Sequence, residues 1–402
     1  MLNKLIDQYG SQAATTGDAL MNHFLSDEQK EIIGTARKFA RNEFPKIARR
    51  CDREETFPKE IWQKAAQLGF MGIFVAPEFG GLGLGYLEHA MVMEEFWRVD
   101  PGVGNILLAV FGSEVLGTFG APAQKEKYLR AVAEGHAITG CAITEPDAGS
   151  DIFGVRTRAT RTQEGYVING SKQFITNGSI ADFLLVFCVT NPTPEKPTQR
   201  FSFLLVHKGA PGFTARKLTG KMGIRASDTA ELSFDNVEVP LENLVGLEEG
   251  QGFSQVMHLF NINRVVAAAQ GVGVAQGALD KALAYVKERH QFGSLLSAFQ
   301  GTQFKIADMA ARIESSRLLY QKAAWLIDQG VVDRKLISIA KLVAGQTAVR
   351  VTDEALQLHG GYGYIDEYDV ERFYRDAKIV EIYEGTKEIE KLTIAREILG
   401  RA

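Results

Sequence analysis

Proline is absent from residues 241–402, although the chain carries 11 prolines up to and including Pro240. A proline removes a backbone donor and clashes with the turn before it, so a long stretch without one is free to be helical. Apolar residues recur there at helical spacing, in RVVAAAQGVGVAQGALDKALAYVKERH, GTQFKIADMAARIESSRLLYQKAAWLIDQ and RKLISIAKLVAGQTAVRVTDEALQLHG. The last pattern ends at Gly360-Gly361, a helix stop. Residues 24–136 also read as helical. They open on Ser26-Asp27-Glu28-Gln29, a capping box before the apolar face of Ile32, Ile33, Ala36 and Phe39. Between 137 and 247 the texture changes to short β-rich runs, YVING, FLLVFCVT, FSFLLVH and ELSFDNVEV, parted by turn signals such as Asn169-Gly170 and Asn177-Gly178. The order predicts an α+β protein: an arm at 1–23, a helical domain at 24–136, a β domain of sandwich or barrel-like form at 137–247, and a helical bundle at 248–402.

The chain is 45% hydrophobic and 23% charged, with a formal net charge of −4. Mild acidity argues against a general nucleic-acid or anionic-membrane binder, which needs a basic patch. No apolar run approaches the roughly 20 residues of a membrane span. The first residues lack an apolar signal core, hold no Arg and carry Asp7 and Asp18, so they make a poor transit peptide. Cys51, Cys141 and Cys188 lie far apart, without metal-ligand spacing or a disulfide framework, which fits a reducing compartment. The histidines form no metal motif, and no metal is expected.

Some motifs carry no chemistry. GGLGLG at 80–85 imitates a dinucleotide fingerprint, but it follows Pro77-Glu78-Phe79 rather than a strand, so a loop between helices is the reading. GVGVAQG at 271–277 lies inside a helical pattern, where glycine costs stability, so another helix is expected to approach that face closely. Ser150 and Ser227 sit in no nucleophile-elbow context. Five other segments stand in a fixed order: TEPDAGSD at 144–151, KQFITNG at 172–178, ERHQFG at 288–293, QLHGGYG at 357–363 and RDAKIVEIYEGT at 375–386. In this order they resemble the acyl-CoA dehydrogenase family, from about residue 24 to the end.

The resemblance implies a C-terminal four-helix bundle, FAD between it and the β domain, and a homotetramer built as a dimer of dimers. It implies oxidation of an acyl-CoA to the trans-2-enoyl-CoA, with electrons passed to electron-transferring flavoprotein, in fatty-acid β-oxidation. A bacterial cytoplasm is the expected setting, ahead of a mitochondrial matrix. By resemblance Cys141, Ile143 and Thr144 lie along the flavin, Phe174 packs on its ring where tryptophan is common, and Thr176 adds a polar contact. Arg289, Phe292 and Gln300 match residues that reach the FAD pyrophosphate and adenosine. Gln357 and Gly361 match contacts across a subunit boundary. Thr386 and Glu388 would sit near the adenosine half, Glu388 where Gln is more usual. Ser150, Phe260, Asn261 and Arg264 match the segments that hold CoA. Tyr383 and Gly385 flank the substrate, and Leu107, Leu108 and Val110 line an apolar acyl pocket.

The chemistry explains the residue types. A thioester α-C–H is a very weak acid, and removing its proton takes a well-placed base. In the family that base is the Glu of Tyr-Glu-Gly-Thr, here Glu384. Relatives acting on branched or long chains carry theirs one residue before the arginine of the bundle segment, here Asn263, which cannot serve. Glu381, Glu388 and Glu390 flank the site in sequence, and Gln at 381 or 390 is expected to leave flavin reduction within a few-fold. Asp100 is the next acid should Glu384 fail. An alicyclic or branched acyl-CoA on the same fold, and a non-catalytic acyl-CoA-binding flavoprotein, stand as alternatives.

Overall fold

The computed structural model describes residues 25–400. The expected N-terminal arm at 1–23 lies outside the described residues. Among the described residues are eight helices of at least eight residues: α1 Asp27–Glu43, α2 Lys59–Gln67, α3 Tyr86–Val99, α4 Gly252–Val286, α5 Gln300–Asp328, α6 Arg334–His359, α7 Val370–Ala377 and α8 Lys387–Leu399. The strands are β1 Thr139–Ala142, β2 Arg158–Arg161, β3 Gly165–Thr176, β4 Phe183–Val189, β5 Phe201–His207, β6 Phe213–Lys217 and β7 Thr229–Pro240, with a small hairpin of β8 His290–Gln291 and β9 Ser294–Leu295. The chain folds into two compact units that are not continuous in sequence. One holds residues up to Arg50, Gly85–Gly104 and everything from Arg264 on. The other holds Cys51–Leu84 and Asn105–Asn263.

In the first unit the four longer C-terminal helices α4, α5, α6 and α8 form the expected bundle, joined by α1 and α3. The capping box at the start of α1 forms as read: Gln29 N–H donates to Ser26 Oγ at 3.1 Å, and Ser26 N–H to Gln29 Oε1 at 3.0 Å. Side chains of α1 reach α3 through Arg37 and Glu95, 2.7 Å apart, and through the Phe39 and Phe96 rings, 5.7 Å between centroids. The glycine run of α4 is where backbones meet. A Cβ at Gly271 would run into the Ala344 carbonyl of α6, and one at Gly273 or Gly277 into the Glu94 or Arg98 carbonyl of α3. Buried Glu94 accepts from Arg317 Nε at 2.8 Å and from the Tyr320 hydroxyl, tying α3 to α5.

In the second unit seven strands form one mixed sheet in the order β1-β4-β2-β3-β7-β6, with β5 on β4. β4, Phe-Leu-Leu-Val-Phe-Cys-Val, is buried at every position, as a continuous apolar run should be. It pairs along its length with antiparallel β5, while parallel β1 and then β2 follow its other edge. β7 alternates buried and open side chains, the mark of a strand with one wet face. Its long pairing with β3 is broken by two register shifts, one of them between Lys172 and Ile175. GGLGLG forms the loop before α3, whose first amides, Tyr86 and Leu87, donate to Asp328 at 2.8 and 2.9 Å.

Candidate active site

The motif residues divide between the two units. In the second, β1 brings buried Cys141 and Ile143 to the base of TEPDAGSD, where Thr144 is half-buried. Gln173 N–H donates to the Thr144 carbonyl at 2.8 Å, so the ends of β1 and β3 run together. The irregularity between Lys172 and Ile175 holds Phe174 at φ 60° and leaves its ring 65% exposed. A β-bulge re-aims a side chain in this way. The result is an open aromatic face flanked by half-buried Thr144 and Thr176.

Two residues that the sequence reading missed fix this corner. Lys172, wholly buried, donates to the Ile143 carbonyl at 2.8 Å and to Glu145 Oε1 at 2.9 Å. Glu145 also accepts from the amides of Arg156 and Thr157 at 2.8 and 2.9 Å. Burial alone would raise the Glu145 carboxyl, but Lys172 and these donors hold it below its usual range. Asn177, at φ 62°, donates to the carbonyls of Leu108 and Thr139 at 2.8 and 2.9 Å, anchoring the segment that carries Leu107 and Leu108. Leu107 and Val110 are buried and Leu108 is half-buried. Ser150 is exposed and Phe260 half-buried. Asn261 is buried, and its Oδ1 meets no donor among the described residues. Asn263 donates to Glu114 Oε1 at 3.2 Å. Burial pushes that carboxyl up to about 7 against the Gly112 amide and Asn263.

In the first unit Glu384 lies on the turn before α8, half-buried, at φ 53°, with Gly385 following at φ 98°. A glutamate pays about 1 kcal/mol or more to sit there, and such residues cluster at functional sites. Thr386 caps α8 by accepting from Ile389 N–H at 3.3 Å, and Glu388 is exposed. The Tyr383 hydroxyl donates to Gln270 Oε1. Burial and then Glu384 raise that phenol well above its usual value. Glu381 pairs with Lys378 and lies 3.6 Å from Lys387. Glu390, by contrast, is 0% exposed and 2.9 Å from Arg264 Nε. Arg264 is buried and also reaches the Glu384 carbonyl at 3.4 Å, so it joins Glu390 of α8 to the loop of Glu384. Asp100 is taken by Arg372 at 2.9 Å and by the Val103 amide at 2.8 Å.

A cleft of about 520 Å³ in the same unit gathers Arg289, Gln357 and Gly361, three of the residues matched to FAD. Arg289 lies over the Tyr362 ring, 5.4 Å from its centroid. Gln357 and Gly361 flank the end of α6, where Gly360 adopts φ 60°. Phe292 stands at the tip of the β8–β9 hairpin, 96% exposed at φ 52°, and Gln300 is exposed at the start of α5. In one unit an open aromatic face beside half-buried threonines suits a flat ring; in the other, a cleft with a guanidinium suits a phosphate-bearing group.

Models of the acyl-CoA dehydrogenase N-terminal, middle and C-terminal domains match residues 26–136, 140–237 and 250–399. An acryloyl-CoA reductase (NADH) from Anaerotignum propionicum is 43% identical, covering 95% of this chain and 97% of its own. A short-chain-specific acyl-CoA dehydrogenase from Clostridium acetobutylicum is also 43% identical, over 94% of this chain and all of its own. A cyclohex-1-ene-1-carbonyl-CoA dehydrogenase from Geobacter metallireducens is 42% identical over the same shares. Among solved structures, a chain from that of the electron transferring flavoprotein of Acidaminococcus fermentans superposes with a TM-score of 0.91 at 38% identity, covering 95% of this chain and 100% of that one. Butyryl-CoA dehydrogenase from Megasphaera elsdenii does so at 0.90 and 39%, covering 94% and 100%. An FAD complex of PigA matches at 0.90 and 31%, covering 95% and 100%. These matches define an oxidoreductase that acts on CH–CH donors and uses FAD. The chain belongs to the acyl-CoA dehydrogenase family.

Proposed function

We propose that this enzyme dehydrogenates an acyl-CoA with an apolar acyl group, Glu384 removing the α-proton. The carrying observation is the backbone of Glu384: a non-glycine residue at φ 53°, its carbonyl and the next one both held by buried cations. Such a loop fixes a carboxylate where a reacting C–H must meet it. Asn263 carries no base, and Glu114 beside it has an oxygen on the Gly112 amide and the other on Asn263. FAD, when bound, supplies the hydride acceptor for the β-hydrogen. Phe174 would give its ring an apolar face, Cys141, Ile143, Thr144 and Thr176 its edge, and Arg289, with Gln300, Gln357 and Gly361, its pyrophosphate and adenosine.

For the CoA arm, the unpartnered Asn261 Oδ1 suits an amide N–H of pantetheine. Leu107 and Leu108 suit an uncharged acyl end. Electron-transferring flavoprotein is the proposed acceptor, supported by the Acidaminococcus structure. A bacterial cytoplasm is the proposed setting, supported by bacterial relatives; among the described residues no helix is long and apolar enough to cross a membrane.

The likeness to a cyclohex-1-ene-1-carbonyl-CoA dehydrogenase favours a second reading, an alicyclic or branched acyl-CoA on the same site. One experiment separates them. Purified yellow enzyme is mixed anaerobically with butyryl-, octanoyl-, isovaleryl- or cyclohexanecarbonyl-CoA and bleaching is followed. Fastest bleaching by butyryl- or octanoyl-CoA supports the straight-chain reading, by the others the second. No bleaching by any acyl-CoA overturns both.

A further inference from the structure

We propose that Glu390 is a positioning residue for the loop of Glu384: it pairs with Arg264, one of two cations that grip the loop's backbone, and its charge balances the field both exert on Glu384. The proposal rests on the reading of Glu384 as the base.

Glu390 lies in the first turn of α8, where an acid is ordinarily exposed and favoured by the helix dipole. Here it is wholly buried, and a carboxylate is tolerated there only when paired. Its partner is Arg264 of α4, at 2.9 Å. Arg264 Nε also points at the Glu384 carbonyl, 3.4 Å away. Lys341 of α6, itself buried, donates Nζ to the Gly385 carbonyl. Two successive carbonyls are thus held by cations from two helices, and Glu390 supplies the counter-charge from a third.

The missing side chain of Gly385 is part of the device. A Cβ there would run into Glu390 Oε1 and come within 3.4 Å of Arg264. Glycine at 385 therefore lets the carboxylate lie directly beneath the loop, as well as permitting φ 98°. Burial pushes the Lys341 ammonium down to about 8 even with Glu390 and Glu384 beside it. Burial likewise raises the Glu390 carboxyl, against Arg264, Ser338 and Lys341.

Charged groups reach the loop of Glu384 from several elements. Arg264 comes from α4, Lys341 from α6 and Glu390 from α8. Glu381 on the preceding turn is shared by Lys378 and Lys387. Tyr383 next to the base is bound to Gln270 of α4. Removing the charge of Glu390 leaves Arg264 and Lys341 without their counter-ion. Extra positive charge favours the ionised carboxylate, so it lowers the pKa of Glu384 and weakens it as a base. The acid limb of the pH profile then moves to lower pH.

The test uses the holoenzyme and stopped-flow flavin reduction by its best acyl-CoA across pH. Glu390→Gln should move the acid limb down by about one pH unit and lower the plateau rate about tenfold, with KM for acyl-CoA little changed. Lys341→Met should move the limb the opposite way, and the double variant should return it toward wild type. Should Glu390→Gln give no folded protein, Lys341→Met alone still reads the sign. A limb that stays in place or moves the wrong way in either variant overturns the proposal. Glu384→Gln is measured alongside. If it is inactive and the limbs do not move, the positioning role fails and the base stands. If it reduces flavin at the wild-type rate, both fall.

Discussion

Glu384, Phe174 and Phe292 share one property that no motif displays: each is a non-glycine residue at φ between 52° and 60°. The cost of that backbone is borne only where surrounding contacts over-determine it. At Glu384 the contacts are the carbonyl grips of Arg264 and Lys341. Glu384→Gln should therefore leave FAD bound and the loop in place, while flavin reduction falls by roughly 10²–10⁴-fold, the usual worth of a general base. Stopped-flow bleaching would measure it. Gly385→Ala should act on the loop instead, costing about 1–3 kcal/mol, because the new Cβ meets the Glu390 carboxylate and φ 98° strains alanine. A lower melting temperature together with slower reduction is the expected pair of readings. Glu384 was legible because its neighbours Tyr383, Gly385 and Thr386 form a local motif. Glu390 was not, since its burial is set by Arg264 and Lys341, far away in the chain. Lys172 and Glu145 escaped for the same reason, as an ion pair made only when β1 and β3 come together.

At the scale of elements, local signals were read well where local physics decides. Ser26 to Gln29 form the capping box, and the four β-rich runs fall on β3, β4, β5 and β7, but Asn169-Gly170, read as a turn, lies inside β3 at a register shift. The glycines of α4 announced a close approach, though not its partners, which are α3 and α6. Sheet order was illegible, because the successive pairing of β1 and β2 along one edge of β4 depends on contacts distant in sequence. The glycine reading gives a prediction with opposite signs. Gly277→Ala pushes a Cβ into the Arg98 carbonyl and the Phe373 ring, and should cost about 1–3 kcal/mol. Gly34, inside α1, has nothing within 4 Å of where a Cβ would go. Gly34→Ala should stabilise by about 0.5–1 kcal/mol through helix propensity alone. Urea unfolding of both variants would show it, and equal effects would defeat the packing account.

For the whole molecule, the tetramer that the resemblance implies is argued from what the described residues leave in water. Many of the exposed large hydrophobic side chains fall after Arg289, including Phe292, Phe304, Tyr364, Ile365 and Leu399. Exposed apolar side chains in such number are what contact with another chain would cover. Phe292 is the sharpest case. With Gly293 it fills a two-residue hairpin turn at φ 52° and 76°, a conformation that favours asparagine and glycine. A phenyl ring 96% exposed, on a backbone that disfavours it and with the Phe299 ring 6.4 Å away, suits contact with another chain. Arg289, immediately before the hairpin, lies instead in the cleft with Gln357 and Gly361. The two residues should therefore separate assembly from cofactor retention. Arg289→Ala should keep the tetramer and lose FAD on gel filtration, as the guanidinium proposed for the pyrophosphate is gone. Phe292→Asp should break the assembly, and flavin should leave with it if the cofactor is held across a subunit boundary. Sedimentation velocity, with absorbance followed at the flavin band, reads both quantities at once. A Phe292→Asp monomer that keeps a full complement of flavin would show that one chain suffices to hold FAD, and a wild-type flavin-loaded monomer would defeat the shared site outright.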